Sequence, residues 1–180
     1  MPLQNRVTPM GEIVAVPERG LFTGNRGIIH DPRTRTLLRR RWAGRAWLTC
    51  VLHWRDVRRT LMGPGSWTEL FFPDEATALA AGHRPCFFCR RAAAQAFQIR
   101  FPHNGQVAKL KAGEIDRVLH VERIEGHRKR LHALTSPAAD LPDGAMVLQD
   151  GAAYLILAGA ARRWSHAGYG APAAISPGAE

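Results

Sequence analysis

Up to residue 72 the apolar positions come in short β-branched or alternating runs, which is the pattern of strands. Residues 12–16 form one such run. The sequence TGNRGII then sets an Asn-Arg-Gly turn ahead of Ile28 and Ile29. Residues 34–45 are basic, and residues 46–54 (AWLTCVLHW) alternate most clearly. Leu48, Cys50, Leu52 and Trp54 share one face of that strand, and Trp47, Thr49, Val51 and His53 the other. Residues 58–62 could return as a hairpin partner before Gly63-Pro64-Gly65 breaks the run, and residues 66–72 read as the next strand.

The period then lengthens to that of helices. Pro73 suits a first helical turn, Asp74 and Glu75 sit where the helix dipole favours acids, and Gly82 is a natural stop after about two turns. A second helix is predicted from the turn at Cys86 and Cys89 to about Arg100. It offers Phe88, Ala92, Phe97 and Ile99 to the core, with Pro102, Asn104 and Gly105 ending it. A third is predicted over residues 113–133 on the spacing of Ile115, Val118, Leu119, Ile124 and Leu131, with Gly126 its weak point. Beyond the turn Pro142-Asp143-Gly144, residues 145–149 and 152–158 read as strands about the two-residue turn Asp150-Gly151. Residues 162–169 add an irregular third strand. Strands, then helices, then strands give an α+β fold rather than regular βαβ alternation.

A chain of 180 residues fits one domain, or a compact domain with a small appendage, and 46% hydrophobic residues exclude wholesale disorder. A net charge of +10 and a pI near 10.9 point to a polyanionic partner, nucleic acid ahead of an anionic membrane surface. Lysine occurs only at Lys109, Lys111 and Lys129, so the charge is nearly all arginine. The alanine, glycine and proline that accompany it are typical of GC-rich coding, which raises arginine without a nucleic-acid role. The first 16 residues lack the basic and apolar regions of a signal peptide. No apolar run reaches the ~20 residues of a membrane helix, so the expected location is the cytoplasm.

Chemistry concentrates at His83-Arg84-Pro85-Cys86-Phe87-Phe88-Cys89-Arg90-Arg91. A Cys-x-x-Cys turn brings two thiolates to one tetrahedral ion, here half of a zinc site, and the flanking arginines favour the thiolate form. With only 3 cysteines in the chain a disulfide framework is disfavoured, and Cys50 is the one sulfur left.

The segment FFPDEATALAAGHRPCFFC resembles the metal-binding domain of Ada-type DNA alkylation-repair proteins. The likeness runs from Leu70 to Cys89: an aromatic strand end, a short helix, then Ala-Gly, an aromatic position taken here by His83, and Arg-Pro-Cys-x-x-Cys. In that family an earlier Cys-x-x-x-Cys pair completes a four-cysteine zinc site, and one of the pair accepts a methyl group from methylated DNA phosphate. This chain has no such pair. The nearest counterpart, Gly27 to Thr34, puts His30 at the first position and Thr34 at the second.

The resemblance thus implies a zinc site of Cys86 and Cys89 with His30 and Cys50 as candidate partners. It implies a small α+β Ada-like domain over residues 1–135 with an inserted basic β-hairpin over about residues 37–65. The strand and turn pattern beyond reads as a C-terminal β-meander over residues 136–170, and the low-complexity end as a disordered tail over residues 171–180. Cys50, between Leu48 and Leu52, reads as a core residue ahead of a ligand, and His30 equally as a turn cap. His53 at Cys-x-x-His spacing would share a metal with Cys50 only through a bulge.

The function expected is a zinc-stabilised nucleic-acid-binding protein, for DNA ahead of RNA, without catalysis of its own and linked to repair or regulation. Arg39, Arg40, Arg41, Arg45, Arg58, Arg59, Arg84, Arg90 and Arg91 are the phosphate contacts expected, with Trp42, Trp47, Trp54 and Trp67 as stacking platforms or core. Two enzymatic alternatives are methyl transfer through Cys50 and metal-assisted hydrolysis by Asp116, His120 and Glu122. For that trio the plainer reading is a solvated helix face. A metal-free interaction module is a further alternative.

Overall fold

The computed structural model describes residues 1–101 and 110–175. The helix stop expected at Pro102, Asn104 and Gly105 lies outside the described residues. The chain is an α+β fold built on a six-stranded mixed sheet. Its strands are β1 (Arg6–Val7), β2 (Ile13–Val14), β3 (Phe22–Asn25), then, after a two-strand arm of β4 (His30–Asp31) and β5 (Thr36–Leu37), β6 (Leu48–Val51), β7 (Leu70–Phe72) and β8 (Arg84–Pro85). The order across the sheet is β2-β1-β7-β3-β6-β8, with β1–β7 and β6–β8 parallel and the other pairs antiparallel.

Residues 37–65, expected as a self-paired basic hairpin, instead send β6 into the sheet between β3 and β8, and the expected return over residues 58–62 is irregular loop. Gly24 makes the β3–β6 approach possible, because a Cβ there would lie 2.0 Å from the Leu48 carbonyl oxygen. Alternation along β6 is as read, but the buried face carries Trp47 and Thr49, while Leu48 and Cys50 are only half-buried.

Helix α1 (Glu75–Ala80) starts at Asp74, whose carboxylate accepts from the Thr77 amide at 2.7 Å, and stops at Gly82 with φ +86°. Helix α2 (Arg91–Arg100) follows the cysteine turn. It buries Ala94, with Phe101 beyond its end, whereas Phe88 and Ile99 are 70% and 60% exposed and Ala92 is exposed, against expectation. Helix α3 (Ala112–Arg123) is shorter than its apolar spacing predicts. Gly126, at φ +60°, turns the chain into a hairpin of β9 (Ile124–Glu125) and β10 (Arg128–Lys129).

The C-terminal meander has four strands, β11 (Met146–Gln149), β12 (Ala152–Leu157), β13 (Ala160–Ser165) and β14 (Gly168–Ala173). Asp150 and Gly151 are both at positive φ, as the tight hairpin requires. Residues 171–173, expected in a disordered tail, pair with β13 instead: Pro172 faces Arg162 and Ala173 faces Ala161.

Two cores result. Val7, Ile13, Ile29, Leu70, Phe72, Ala78 and Ala81 pack between the sheet and α1, and Val147, Ile156 and Ala161 pack within the meander. Trp164 and Tyr169 join them by hydrogen bonds to Thr77 and Asp74 of the α1 start, at 3.0 and 2.7 Å. Among the described residues no helix is long and apolar enough to cross a membrane.

Candidate metal centre

Parallel pairing of β6 with β8 creates the centre. Arg84 donates its amide to Trp47 and Cys86 donates to Thr49, each at 3.0 Å, so the residue after β8 arrives beside Cys50. The turn then folds back, with the Arg90 amide on the Cys86 carbonyl at 2.9 Å, and Cys89 joins from the approach to α2. The sulfurs of Cys50, Cys86 and Cys89 all lie within 4.8 Å of one another, and all three cysteines are free. Two zinc–sulfur bonds of about 2.3 Å at the tetrahedral angle span about 3.8 Å, so one ion can meet all three. Three sulfurs that meet from β6 and from the turn between β8 and α2 fit a metal that binds thiolate.

The sulfurs are already polarised. Cys86 is held well below the usual thiol range, first by the hydrogen bond from the Cys50 thiol and then by the amides of Cys89 and Phe88, the last at 3.4 Å; burial opposes them. That same bond to Cys86, followed by burial, pushes Cys50 up. Burial also raises Cys89, against the Val51 amide, and charge on Cys86 adds to the rise. These interactions favour the thiolate form at Cys86 over Cys50 and Cys89.

The remaining expectations divide sharply. His30 is 2% exposed and does not join the cysteines. Its Nδ1 meets Thr68 Oγ1 at 2.7 Å and its Nε2 meets the Gly63 carbonyl at 3.2 Å, so both ring nitrogens fasten loops. Thr34 is exposed and bonded to Thr36. The closed set of three cysteines with His30 is therefore replaced by a three-cysteine set, and among the described residues no His, Asp or Glu joins it. His83 packs edge-on against Phe72 with ring centroids 4.6 Å apart, as its aromatic position suggests.

A cleft of about 840 Å³ adjoins the sulfurs. Its walls include Trp54, Arg55, Arg58, Arg59, Trp67 and Phe88, and His53 also lines it from an exposed position. Arg59 lies 4.9 Å from the Trp67 ring, Arg55 5.3 Å from Trp54, and Trp54 sits 5.4 Å from Phe88. Buried Glu69 holds the cleft's loop by accepting from the Met62 amide at 2.7 Å.

Among the arginines, Arg39, Arg40, Arg41, Arg45, Arg58, Arg59 and Arg91 are exposed. Two others are committed elsewhere. Arg84 is buried in a two-pronged pair with Asp116, both bonds 2.8 Å, and Arg90 pairs with Glu75 at 2.6 Å while lying over Phe22. Neither is free to meet a phosphate.

The chain shows no match to protein-family models, to curated proteins or to solved structures.

The trio on α3 is also dispersed. Asp116 is sealed against Arg84, Glu122 is exposed, and His120 meets Arg123 and the edge of Trp42, so they form neither a hydrolytic site nor a wholly solvated face. Sequence reasoning did not single out Arg55, Phe88 as a cleft wall, or Glu69. Phe88, between the two cysteines of a tight turn, carried a usable signal, since a turn side chain opposite two inward sulfurs points outward.

Proposed function

We propose that this protein is a zinc-thiolate protein that binds nucleic acid through its backbone, across the cleft beside Cys50, Cys86 and Cys89, without catalysis of its own. The observation that carries this reading is the meeting of three sulfurs with three arginines and three partly or fully exposed aromatic rings. Thiolates are soft ligands, and zinc is the ion that suits three of them in a reduced cysteine set. Zinc would clasp β6, β8 and α2, fixing the wall that presents Phe88 and Trp54. Arg55, Arg58 and Arg59 would neutralise phosphates, while the rings offer faces for unpaired bases. The resemblance of Leu70 to Cys89 to Ada-type metal-binding domains favours DNA over RNA and a role in repair or regulation within the cytoplasm.

Fluorescence anisotropy with labelled single-stranded and duplex DNA, and with RNA of the same sequence, tests this. Affinity should fall by about an order of magnitude or more between about 50 and 200 mM salt, and replacing Arg58 and Arg59 by Gln should flatten that dependence. A salt-independent affinity, or one indifferent to both arginines, would overturn the reading.

The position of Cys50 favours a second reading. Cys50 lines the cleft instead of filling the core, so its sulfur could meet a methylated phosphate there. In that reading Cys50, which would release its thiol proton to solvent on binding a metal, attacks as a thiolate the methyl carbon of a methylphosphotriester. The sulfur–carbon bond forms as the carbon–oxygen bond breaks, and an unmethylated phosphodiester leaves with the electron pair. Intact-mass analysis after incubation with methylated DNA should show one added methyl group at Cys50, and an unmodified Cys50 in metal-loaded protein would rule this out.

A further inference from the structure

A second cavity, of about 760 Å³, lies beside Trp47, which immediately precedes β6 on the face opposite Leu48 and Cys50. Its lining is unbalanced in charge. Arg26, Arg41, Arg123, Arg128 and Lys129 contribute to it, against one acid among the described residues, the exposed Glu12.

The deepest of these cations have no acid bonded to them among the described residues. Arg26 and Arg123 are 2% and 5% exposed, and each guanidinium lies 4.0 Å from the Trp47 ring centroid. Their hydrogen bonds go to neutral acceptors. Arg26 donates to the Gly11 carbonyl at 2.9 Å and to His83 Nε2 at 3.2 Å. Arg123 donates to the carbonyls of Gly82 and Arg45, at 2.8 and 2.6 Å, and meets His120 Nδ1 at 3.1 Å. After these bonds Arg26 Nη2 and Arg123 Nε are sealed from solvent without a partner among the described residues. Asp116 acts on Arg123 at longer range, but its carboxylate is already bound to Arg84.

Like charges buried side by side without an acid are costly, and a ring face offsets only part of that cost. The strain shows in the neighbours: burial lowers Lys129, and Arg26 and Arg123 lower it further. An anion in the cavity would supply the missing charge. At the mouth, Trp42 lies 5.9 Å from Trp47 and 6.3 Å from His127, the latter tilted by 33°, which makes an aromatic wall. Cavities of this volume hold small organic ligands.

We propose that this cavity binds the phosphate of a nucleotide. Lys129, Arg128 and Arg41 meet the phosphate, Trp42 packs against the base, and Arg26 and Arg123 supply the positive field behind them. The site is separate from the cysteine cleft and needs no metal.

Isothermal titration of the full chain with a 5′-mononucleotide, with inorganic phosphate and with a 5′-phosphorylated single strand tests the proposal. The mononucleotide should bind at least tenfold more tightly than inorganic phosphate. Competition by the strand identifies a strand end as the source of the phosphate, and its failure to compete identifies a free nucleotide. Lys129→Gln and, separately, Arg128→Gln should each raise the mononucleotide Kd tenfold or more, and Trp42→Ala should erase the advantage over inorganic phosphate. Arg58→Gln, in the other cleft, should leave the mononucleotide and inorganic phosphate titrations unchanged. Absence of mononucleotide binding at millimolar concentration, or binding that survives both Lys129→Gln and Arg128→Gln, overturns the proposal. Loss of DNA binding at the cysteine cleft would leave the mononucleotide and inorganic phosphate titrations unaffected, so the two readings fail separately.

Discussion

His83 must stay neutral for the core to close around it. Its Nε2 accepts from Arg26, and burial first, then the charges of Arg26 and Arg123, hold its pKa well below the ordinary value. In the unfolded chain a histidine titrates near 6.5, so below that pH the unfolded state takes up a proton that the folded state refuses. Stability from this group is therefore complete above about pH 6.5, and falls by about 1.4 kcal/mol for each pH unit below it until the folded pKa is reached. Denaturant titrations across that range should show His83→Phe with a shallower acid slope than the wild type, and equal slopes would contradict the assignment. Arg84 and Asp116 make the complementary case, because their charges are paired and side chains only 5% and 9% exposed. Asp116→Ala strands the guanidinium and should cost about 3–5 kcal/mol by chemical denaturation. A change below about 1 kcal/mol would show that the pair is not sealed as described.

At the level of elements, the metal centre depends on a strand that touches it only through its neighbour. Gly24 in β3 pairs with Thr49 of β6, and a methyl group on it would meet both the Leu48 carbonyl and, at 2.9 Å, the Phe72 ring. Gly24→Ala should push β6 outward, carry Cys50 away from Cys86 and Cys89, and lower both stability and bound metal. Full metal loading in a folded Gly24→Ala protein would contradict this coupling. Much of the element plan was legible. The capped α1 with its glycine stop and the Asp150-Gly151 hairpin are local patterns, encoded within a few residues. The end of α3 was not, because Ile124 and Leu131 continue a helical spacing that only the positive φ of Gly126 interrupts. The basic segment ahead of Gly65 was misread for a related reason: β6 is paired by β3 and β8, both distant in sequence.

For the molecule as a whole, the charge of +10 is spread over arginines in unlike surroundings. Some are paired in the interior, some line the cysteine cleft, some such as Arg39, Arg40 and Arg91 are exposed elsewhere, and Arg26 and Arg123 lie buried with no acid bonded to either among the described residues. Composition gave the total but could not sort it, since pairing is a property of the fold. The same limit applied to the metal centre. Cys86 and Cys89 declare themselves by spacing, whereas Cys50 is delivered by the β6–β8 register and His30 is taken up by Thr68 and Gly63. The central claim is that the fold assembles a three-sulfur metal site from those separate strands. Metal analysis with X-ray absorption on the purified protein tests it most directly. One zinc per chain with three sulfur neighbours at about 2.3 Å, lost or reduced in sulfur count on Cys50→Ser, is the expected result. Protein with well under one equivalent of metal, or zinc whose coordination is indifferent to Cys50→Ser, would contradict it and leave a metal-free interaction module.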